Sequence, residues 1–232
     1  MNLLAFDFDK TVTISDTILP LCSYFSRQIK SSNTFFIIQI YYIIYRFGLI
    51  SSKRFKEITI KHLLKNKSTE EIENLVTEFY SLNFRKLFNP EIFNLINEQH
   101  NSGNKIIIVT SNLDLFIKPV MKLLPVDEVF GTRVKVTNGN VVGIIEGENC
   151  SGNLKVEAIK KYTSKFRFDK IISYGDSPGD FEMFKFSDES FIAQYKFDSF
   201  ISKLACRIKY LCGRICSDGF KVTFRNFNHL NQ

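Results

Sequence analysis

The sequence predicts an α/β fold, a doubly wound parallel sheet with an inserted helical cap, and three observations predict it. Short apolar runs in LLAFD, KIIIVT and KIISYGD end at polar or acidic residues: Asp7, Thr110 and Asp176. Segments of helical periodicity separate these runs. The first two runs also lie much further apart than one crossover helix requires. Apolar runs of this length with polar bounds read as strands covered on both faces. Their alternation with helices is the pattern of a parallel sheet wound in both directions.

Taken in order, residues 3–6 form the first strand, with Asp7 and Asp9 at its end. Two residues apart on an extended chain, these carboxylates are expected to point the same way. Residues 16–87 read mostly as helices, with Ser68 and Glu71 at capping-box spacing. Asn89 and Pro90 open a helix that Gly103 closes. KIIIVT (105–110) is the second buried strand, and a helix is expected over 113–124. VFGTRVKVTNGNVVGIIEG alternates as strands around Asn138-Gly139, a strong hairpin signal. A helix over 153–166, the strand in DKIISYGD and a helix opened by Pro178 complete the pattern. Asp7 and Thr110 are 103 residues apart, against 45 between Thr110 and Lys155, so the insertion falls in the first interval. The expected division is a catalytic core of residues 1–15 and 88–232 and a helical cap of residues 16–87.

With 232 residues, 44% of them hydrophobic, the chain can bury one full core and a smaller second unit. A net charge of +7 and a pI near 9.1 favour anionic partners. No aromatic and basic interleaving of a nucleic-acid-binding type accompanies that charge, and no nucleic-acid partner is expected. Five cysteines, at 22, 150, 206, 212 and 216, form no C-x-x-C pair, which suits packing in a reducing compartment. Asp7 and Asp9 interrupt what would be the apolar stretch of a secretory leader, so a cytoplasmic location is expected.

Ligands of doubly wound sheets bind at the carboxyl ends of the strands. Asp7, Asp9, Thr110 to Asn112 and Asp176 to Asp180 all fall there. Each acid alone could be a helix cap, but four of them with a threonine on one edge fit phosphoryl transfer better. A carboxylate can act as nucleophile and divide one displacement into two. Magnesium, a hard cation, offsets the repulsion between acids and an anionic substrate, and a second acid can protonate the leaving oxygen.

DFDKT (7–11) resembles the D-x-D-x-T signature of the haloacid dehalogenase-like hydrolases, and three further motifs follow in the family's order. These are Thr110 after KIIIV, Lys155 in NCSGNLKVEAI, and YGDSPGD (174–180). GTRVKVTNGNVVGIIEGENCSGNLKV (131–156) is similar to the phosphoserine phosphatase-like branch, especially members similar to bacterial phosphatidylglycerophosphatase C. The resemblance implies Asp7 as nucleophile and Asp9 as acid and base. It implies Mg²⁺ held by Asp7, the Asp9 backbone carbonyl and Asp176, with Asp180 supporting the metal shell, and a phosphoryl group held by Thr110, Ser111 and Lys155. Lys155 falls in the first turn of its helix, where the backbone favours an anion; Lys160 and Lys161 are its rivals.

Two basic segments bear on substrate. TFFIIQIYYIIYRFGLI (34–50) is apolar all round for about a dozen residues, short of the roughly 20 that span a bilayer. Arg27 and Lys30 precede it, and Lys53, Arg54 and Lys56 follow. It reads either as a helix lying in an anionic membrane interface or as one buried in the cap. From Lys196 to Arg225 seven bases face two acids, and Phe200, Ile201, Leu204, Ile208 and Leu211 recur at helical spacing. The expected activity is hydrolysis of a small-molecule or lipid phosphomonoester, with peripheral membrane contact. Transfer of the phosphoryl group to another alcohol and non-catalytic headgroup binding are the alternatives.

Overall fold

The structure, a computed structural model, describes residues 1–197 and 220–226. Its centre is β1 (Leu3–Phe6), a run in which no residue is more than 1% exposed. β2 (Lys105–Leu113) and β6 (Ile171–Gly175) flank it in parallel, Leu3 pairing with Lys105 on one side and Ile171 on the other. β3 (Glu128–Thr132), β7 (Glu189–Phe197) and β8 (Phe220–Asn226) complete a sheet of order β3-β2-β1-β6-β7-β8. The chain runs outward from β1 in both directions, so the crevice where strand order reverses opens beside β1.

Period-two alternation explains why the sheet needs cover on both faces. Leu4, Phe6, Ile106 and Ile108 join one apolar cluster with Ile92 and Ile96 of α5 (Pro90–Asn101). Leu3, Ala5, Ile107 and Val109 join another with Ile159 and Tyr162 of α7 (Asn153–Thr163) and with Met183 and Phe184 of α8 (Phe181–Phe186). Each fully buried Leu, Ile or Phe contributes roughly 1.5–3 kcal/mol relative to exposure. The rim of this sheet is therefore a rigid support.

Four helices stand between β1 and β2 in the chain: α1 (Ile18–Gln28), α2 (Ser32–Arg46), α3 (Ser52–Leu63) and α4 (Thr69–Leu87). Side-chain caps fix two of their starts: Ser51 accepts from Arg54 N at 3.1 Å and Ser68 from Glu71 N at 3.0 Å. Asn89 caps α5, Pro90 takes its first position, and Gly103 turns past its end at φ 79°.

Several expectations change. The alternating stretch after residue 128 serves two sheets: its first part is β3, and only β4 (Val134–Thr137) and β5 (Asn140–Ile145) form the hairpin. Asn138 and Gly139 take φ 50° and 77° at the turn, the left-handed pair that a tight hairpin demands. This hairpin bonds the inserted segment, Asn66 N donating to Val141 O at 2.9 Å and Val141 N to Lys67 O at 3.0 Å. The helix expected over 113–124 is a short α6 (Asp114–Ile117) followed by a 3₁₀ turn over residues 118–122, where Pro119 lacks the amide that would continue an α-helix. α7 ends at Thr163, three residues early, and Pro178 opens a 3₁₀ turn before α8. β8, antiparallel to β7, was not anticipated. The helical spacing over 200–211 and Cys206, Cys212 and Cys216 lie outside the described residues.

The expectation that the apolar stretch is buried in the cap holds only in part. α2 buries Ile38 and Tyr42, yet leaves Phe36 (63% exposed), Ile40 and Ile43 as an open apolar stripe, and Phe47 (77%) and Leu49 just past its end are exposed as well. Among the described residues no helix is long and apolar enough to cross a membrane.

Candidate active site

Asp7 is the first residue past β1, held by its amide donating to Tyr174 O at 2.8 Å, which carries the β1 to β6 pairing one step further. The chain then leaves the sheet. Lys10 adopts φ 61°, and Thr13 N closes a wide turn onto Phe8 O at 3.0 Å. Asp7 and Asp9 therefore do not share a strand face, contrary to their spacing. The Asp9 carboxylate turns toward the inserted segment and the β2 end. Its Oδ1 accepts from Thr17 N at 2.7 Å and Thr17 Oγ1 at 2.8 Å, and its Oδ2 from Asn112 Nδ2 at 2.8 Å.

The Asp7 carboxylate faces the N-terminal turn of α7. Lys155 Nζ donates to Asp7 Oδ1 at 2.6 Å and to Asp180 Oδ1 at 2.5 Å, and all three side chains are buried. Lys160 and Lys161 are exposed on the far turns of the helix, so Lys155 is the lysine that meets the acids. The second Asp180 oxygen accepts from Asp176 N, Ser177 N and Ser177 Oγ at 3.2, 3.0 and 2.9 Å. Both oxygens of Asp180 are thus engaged by the protein. Gly175 makes room for it, since a Cβ there would stand 2.7 Å from Asp180 Cγ.

Carboxylate oxygens of Asp7, Asp176 and Asp180 lie within 4.8 Å of one another. Burial raises Asp7 to about 7, against the pull of Lys155, and Asp176 to about 8, with the Asp7 charge adding to the effect. Burial, followed by the Asp16 charge, raises Asp9 to about 6. Asp7 and Asp180 together overcome the burial of Lys155 and raise its pKa, so it stays charged. Closely spaced acids whose anionic forms lack full compensation, offering only hard oxygen donors, fit a magnesium ion.

Thr110 is buried on β2, its hydroxyl accepting from Asn112 N at 3.2 Å. Phe6 pairs with Ile108, which brings Thr110 and Ser111 to the rim that carries Asp7. Ser111 presents its carbonyl to Thr132 Oγ1 at 2.6 Å and to Lys56 Nζ, which reaches the rim from α3. Sequence reasoning placed Asn112 on the ligand-binding edge without giving it a role, and did not assign Thr17, Thr132, Asn149 or Lys56 to the site. Asp16 is paired with Lys10 at 2.8 Å. Tyr80 of α4 is fully buried, and its phenol is pushed up by burial and then by the Asp9 charge.

The order of these strand-end groups matches a known family: the model described as haloacid dehalogenase-like hydrolase aligns with residues 4–185. This chain belongs to that family. It is 28% identical over 189 residues to Protein CicA of Caulobacter vibrioides, covering 81% of this chain and 83% of that protein. A phosphoserine phosphatase of Methanocaldococcus jannaschii is 28% identical over 92 residues, 39% of this chain and 44% of that protein. A Bordetella pertussis Tohama I protein of unknown function shares the fold at TM-score 0.71 and 18% identity, covering 82% of this chain and 88% of that one. A phosphoserine phosphatase with a phospho-aspartyl intermediate analogue does so at TM-score 0.56 and 21% identity, covering 82% and 84%.

Proposed function

We propose that this hydrolase is a magnesium-dependent phosphatase that cleaves a phosphomonoester through Asp7. The observation that carries the reading is the buried arrangement of Asp7 on Lys155, beside a separately held Asp9. Lys155 engages Asp7 Oδ1, which leaves Oδ2 as the attacking oxygen. Asp7 Oδ2 bonds to phosphorus as the ester P–O bond breaks, and Asp9 gives its proton to the departing alkoxide. Asp9 then takes a proton from water, the hydroxide attacks phosphorus, and the bond to Asp7 breaks to release orthophosphate. A carboxyl raised to about 6 suits both directions of that transfer near neutral pH.

Asp7, the Asp9 carbonyl and Asp176 would hold magnesium, which supplies Lewis-acid stabilisation of phosphoryl charge. Asp180, with both oxygens engaged, acts by fixing Lys155 and the turn that carries Asp176. Thr110, Ser111 and Lys155 receive the phosphoryl oxygens. Residues 16–87 form a cap that excludes water and selects substrate.

For substrate, the open apolar stripe of α2 favours a lipid phosphate such as phosphatidylglycerophosphate. The phosphoserine phosphatase relatives favour phosphoserine as a second reading. That reading needs an acid for the substrate ammonium, and Asp16, the first acid of the inserted segment, already shares its Oδ2 with Lys10 at 2.8 Å. Hydrolysis of p-nitrophenyl phosphate that requires magnesium and stops with chelator tests the activity. A kcat/KM in mixed micelles higher for phosphatidylglycerophosphate than for phosphoserine tests the substrate class, and the reverse order removes the lipid reading.

A further inference from the structure

Lys56 projects from the inner face of α3 and is 4% exposed. Its ammonium donates to Ser111 O and to Asn149 Oδ1, both neutral acceptors. Thr132 Oγ1 lies 2.6 and 3.0 Å from the same two atoms, and it accepts from Cys150 N at 3.1 Å. The ends of β2 and β3 and the segment leading to Lys155 thus converge on one cation supplied by the inserted helices. Among the described residues no carboxylate pairs with Lys56. The contrast with Lys53, one turn earlier, is direct: it pairs with Glu148 at 2.7 Å near the surface.

A buried ammonium without a counterion is costly, and hydrogen bonds to neutral groups offset only part of that cost. Burial draws the Lys56 pKa down to about 8, against the pull of Asp9 and Asp7. Lys155 cannot serve as the sole partner of an incoming phosphate, because Asp7 and Asp180 already accept from it. The site therefore has one buried cation committed to its own acids and a second one with no anion.

We propose that Lys56 is a phosphate-binding residue contributed by the cap, whose counterion is the phosphoryl dianion of the substrate. The inference rests on the phosphatase reading above and adds to it a mechanism for the cap. The dianion joins Lys56 of α3 to Lys155 of α7, so phosphate binding and closure of the inserted helices over the rim reinforce each other. Selectivity follows: the cap recognises the phosphate that every substrate shares, and substrate choice falls to the surfaces around it.

The discriminating variant is Lys56→Gln, which keeps two N–H donors for Ser111 O and Asn149 Oδ1 but removes the charge. The probes are inorganic phosphate as competitive inhibitor and p-nitrophenyl phosphate as substrate, both with magnesium chloride. A charge-assisted hydrogen bond is roughly twice as strong as a neutral one. Lys56→Gln is expected to raise the phosphate inhibition constant and KM together by about tenfold or more, and Lys56→Arg to restore most of both. Phosphate should also raise the melting temperature of the wild type more than that of Lys56→Gln. Equal inhibition constants for Lys56→Gln and wild type would overturn the proposal, because a purely structural latch would survive in the amide. If Lys56→Gln does not fold, Lys56→Met and Lys56→Arg are compared by the same phosphate-dependent shift, and equal shifts overturn it. A wild type that neither turns over p-nitrophenyl phosphate nor responds to phosphate removes the phosphatase reading itself, a different result from an active wild type with an unaffected variant.

Discussion

Lys155 Nζ stands 2.6 Å from Asp7 Oδ1, joining the first strand to a helix that begins almost 150 residues later. The same ammonium holds Asp180, so one buried cation organises two carboxylates that follow the neighbouring strands β1 and β6. Lys155→Met should leave both acids buried without their cation. Removing one partner of a buried pair typically costs about 3–5 kcal/mol. We expect denaturant unfolding at pH 7 to show a loss of that order, together with loss of turnover. A variant as stable as wild type would show that the acids are compensated by other means.

Asp7→Asn removes the attacking oxygen without changing shape. The amide cannot form an acyl phosphate, so p-nitrophenyl phosphate hydrolysis should fall below about a hundredth of wild type while the circular dichroism spectrum is retained. Asp9→Asn should lower the rate by about 10²- to 10⁴-fold, the usual range for general acid and base catalysis. A near-normal rate in the Asp9 variant would mean that leaving groups depart without its proton.

The parts of the site carried by strand ends were legible in the sequence because an apolar run fixes where its strand stops. Asp7, Thr110 and Asp176 follow directly from LLAF, KIIIV and IISYG. The relation of Asp7 to Asp9 was not legible in this way. It depends on Lys10 adopting a left-handed backbone, which periodicity does not encode, and on Thr17 and Asn112 drawing the Asp9 carboxylate away. Lys56 was hidden for another reason: a lysine between Phe55 and Glu57 reads as a solvated residue or a basic flank. Its burial comes from the docking of α3 on the rim, a tertiary effect. β8 lay in a segment whose basic charge and helical spacing drew attention away from a strand.

Gly175 offers a test of how closely Asp180 is packed. A Cβ there would meet Asp180 Cγ at 2.7 Å and its Cβ and Oδ2 at 2.8 Å. Asp180 cannot swing away freely, because both of its oxygens are hydrogen-bonded. Gly175→Ala should cost about 1–3 kcal/mol, the usual range for overpacking. It should also raise the magnesium concentration needed for half-maximal activity. An unchanged magnesium dependence would show that Asp180 does not govern the turn carrying Asp176.

The pH dependence of Lys56 has a definite sign. Its folded pKa, near 8, lies below the ordinary lysine value of 10.5, with Asp9, Cys150, Lys155 and Asp7 the charged or titratable groups acting on it. Between those values the unfolded chain binds more protons than the folded one, so the contribution of Lys56 to stability rises with pH across that window. The penalty for its charge is fully present below about pH 8. The stability difference between wild type and Lys56→Met, without phosphate, should therefore move in favour of wild type as pH rises from 8 to 10. A difference that stays flat over that range would mean that burial does not penalise the Lys56 charge.

The open face of α2 separates a lipid substrate from a soluble one. Phe36, Ile40 and Ile43 recur at intervals of four and three along the helix, Phe47 follows at its C-terminal cap, and together they leave apolar side chains in contact with solvent. Arg27 and Lys30 precede the helix, Arg46 lies in its last turn and Arg54 follows in α3, and these exposed bases supply positive charge of the kind that an anionic surface attracts. Replacing Ile40, Ile43 and Phe47 with Ser removes one largely exposed side chain and two that are a little over half covered, so folding stability should fall by less than for fully buried residues. Flotation with anionic liposomes should weaken in this variant and with high salt, and turnover of a lipid phosphate in mixed micelles should fall several-fold while p-nitrophenyl phosphate hydrolysis is unchanged. Equal flotation of variant and wild type would assign the stripe to another role and would favour phosphoserine or another soluble ester as the substrate.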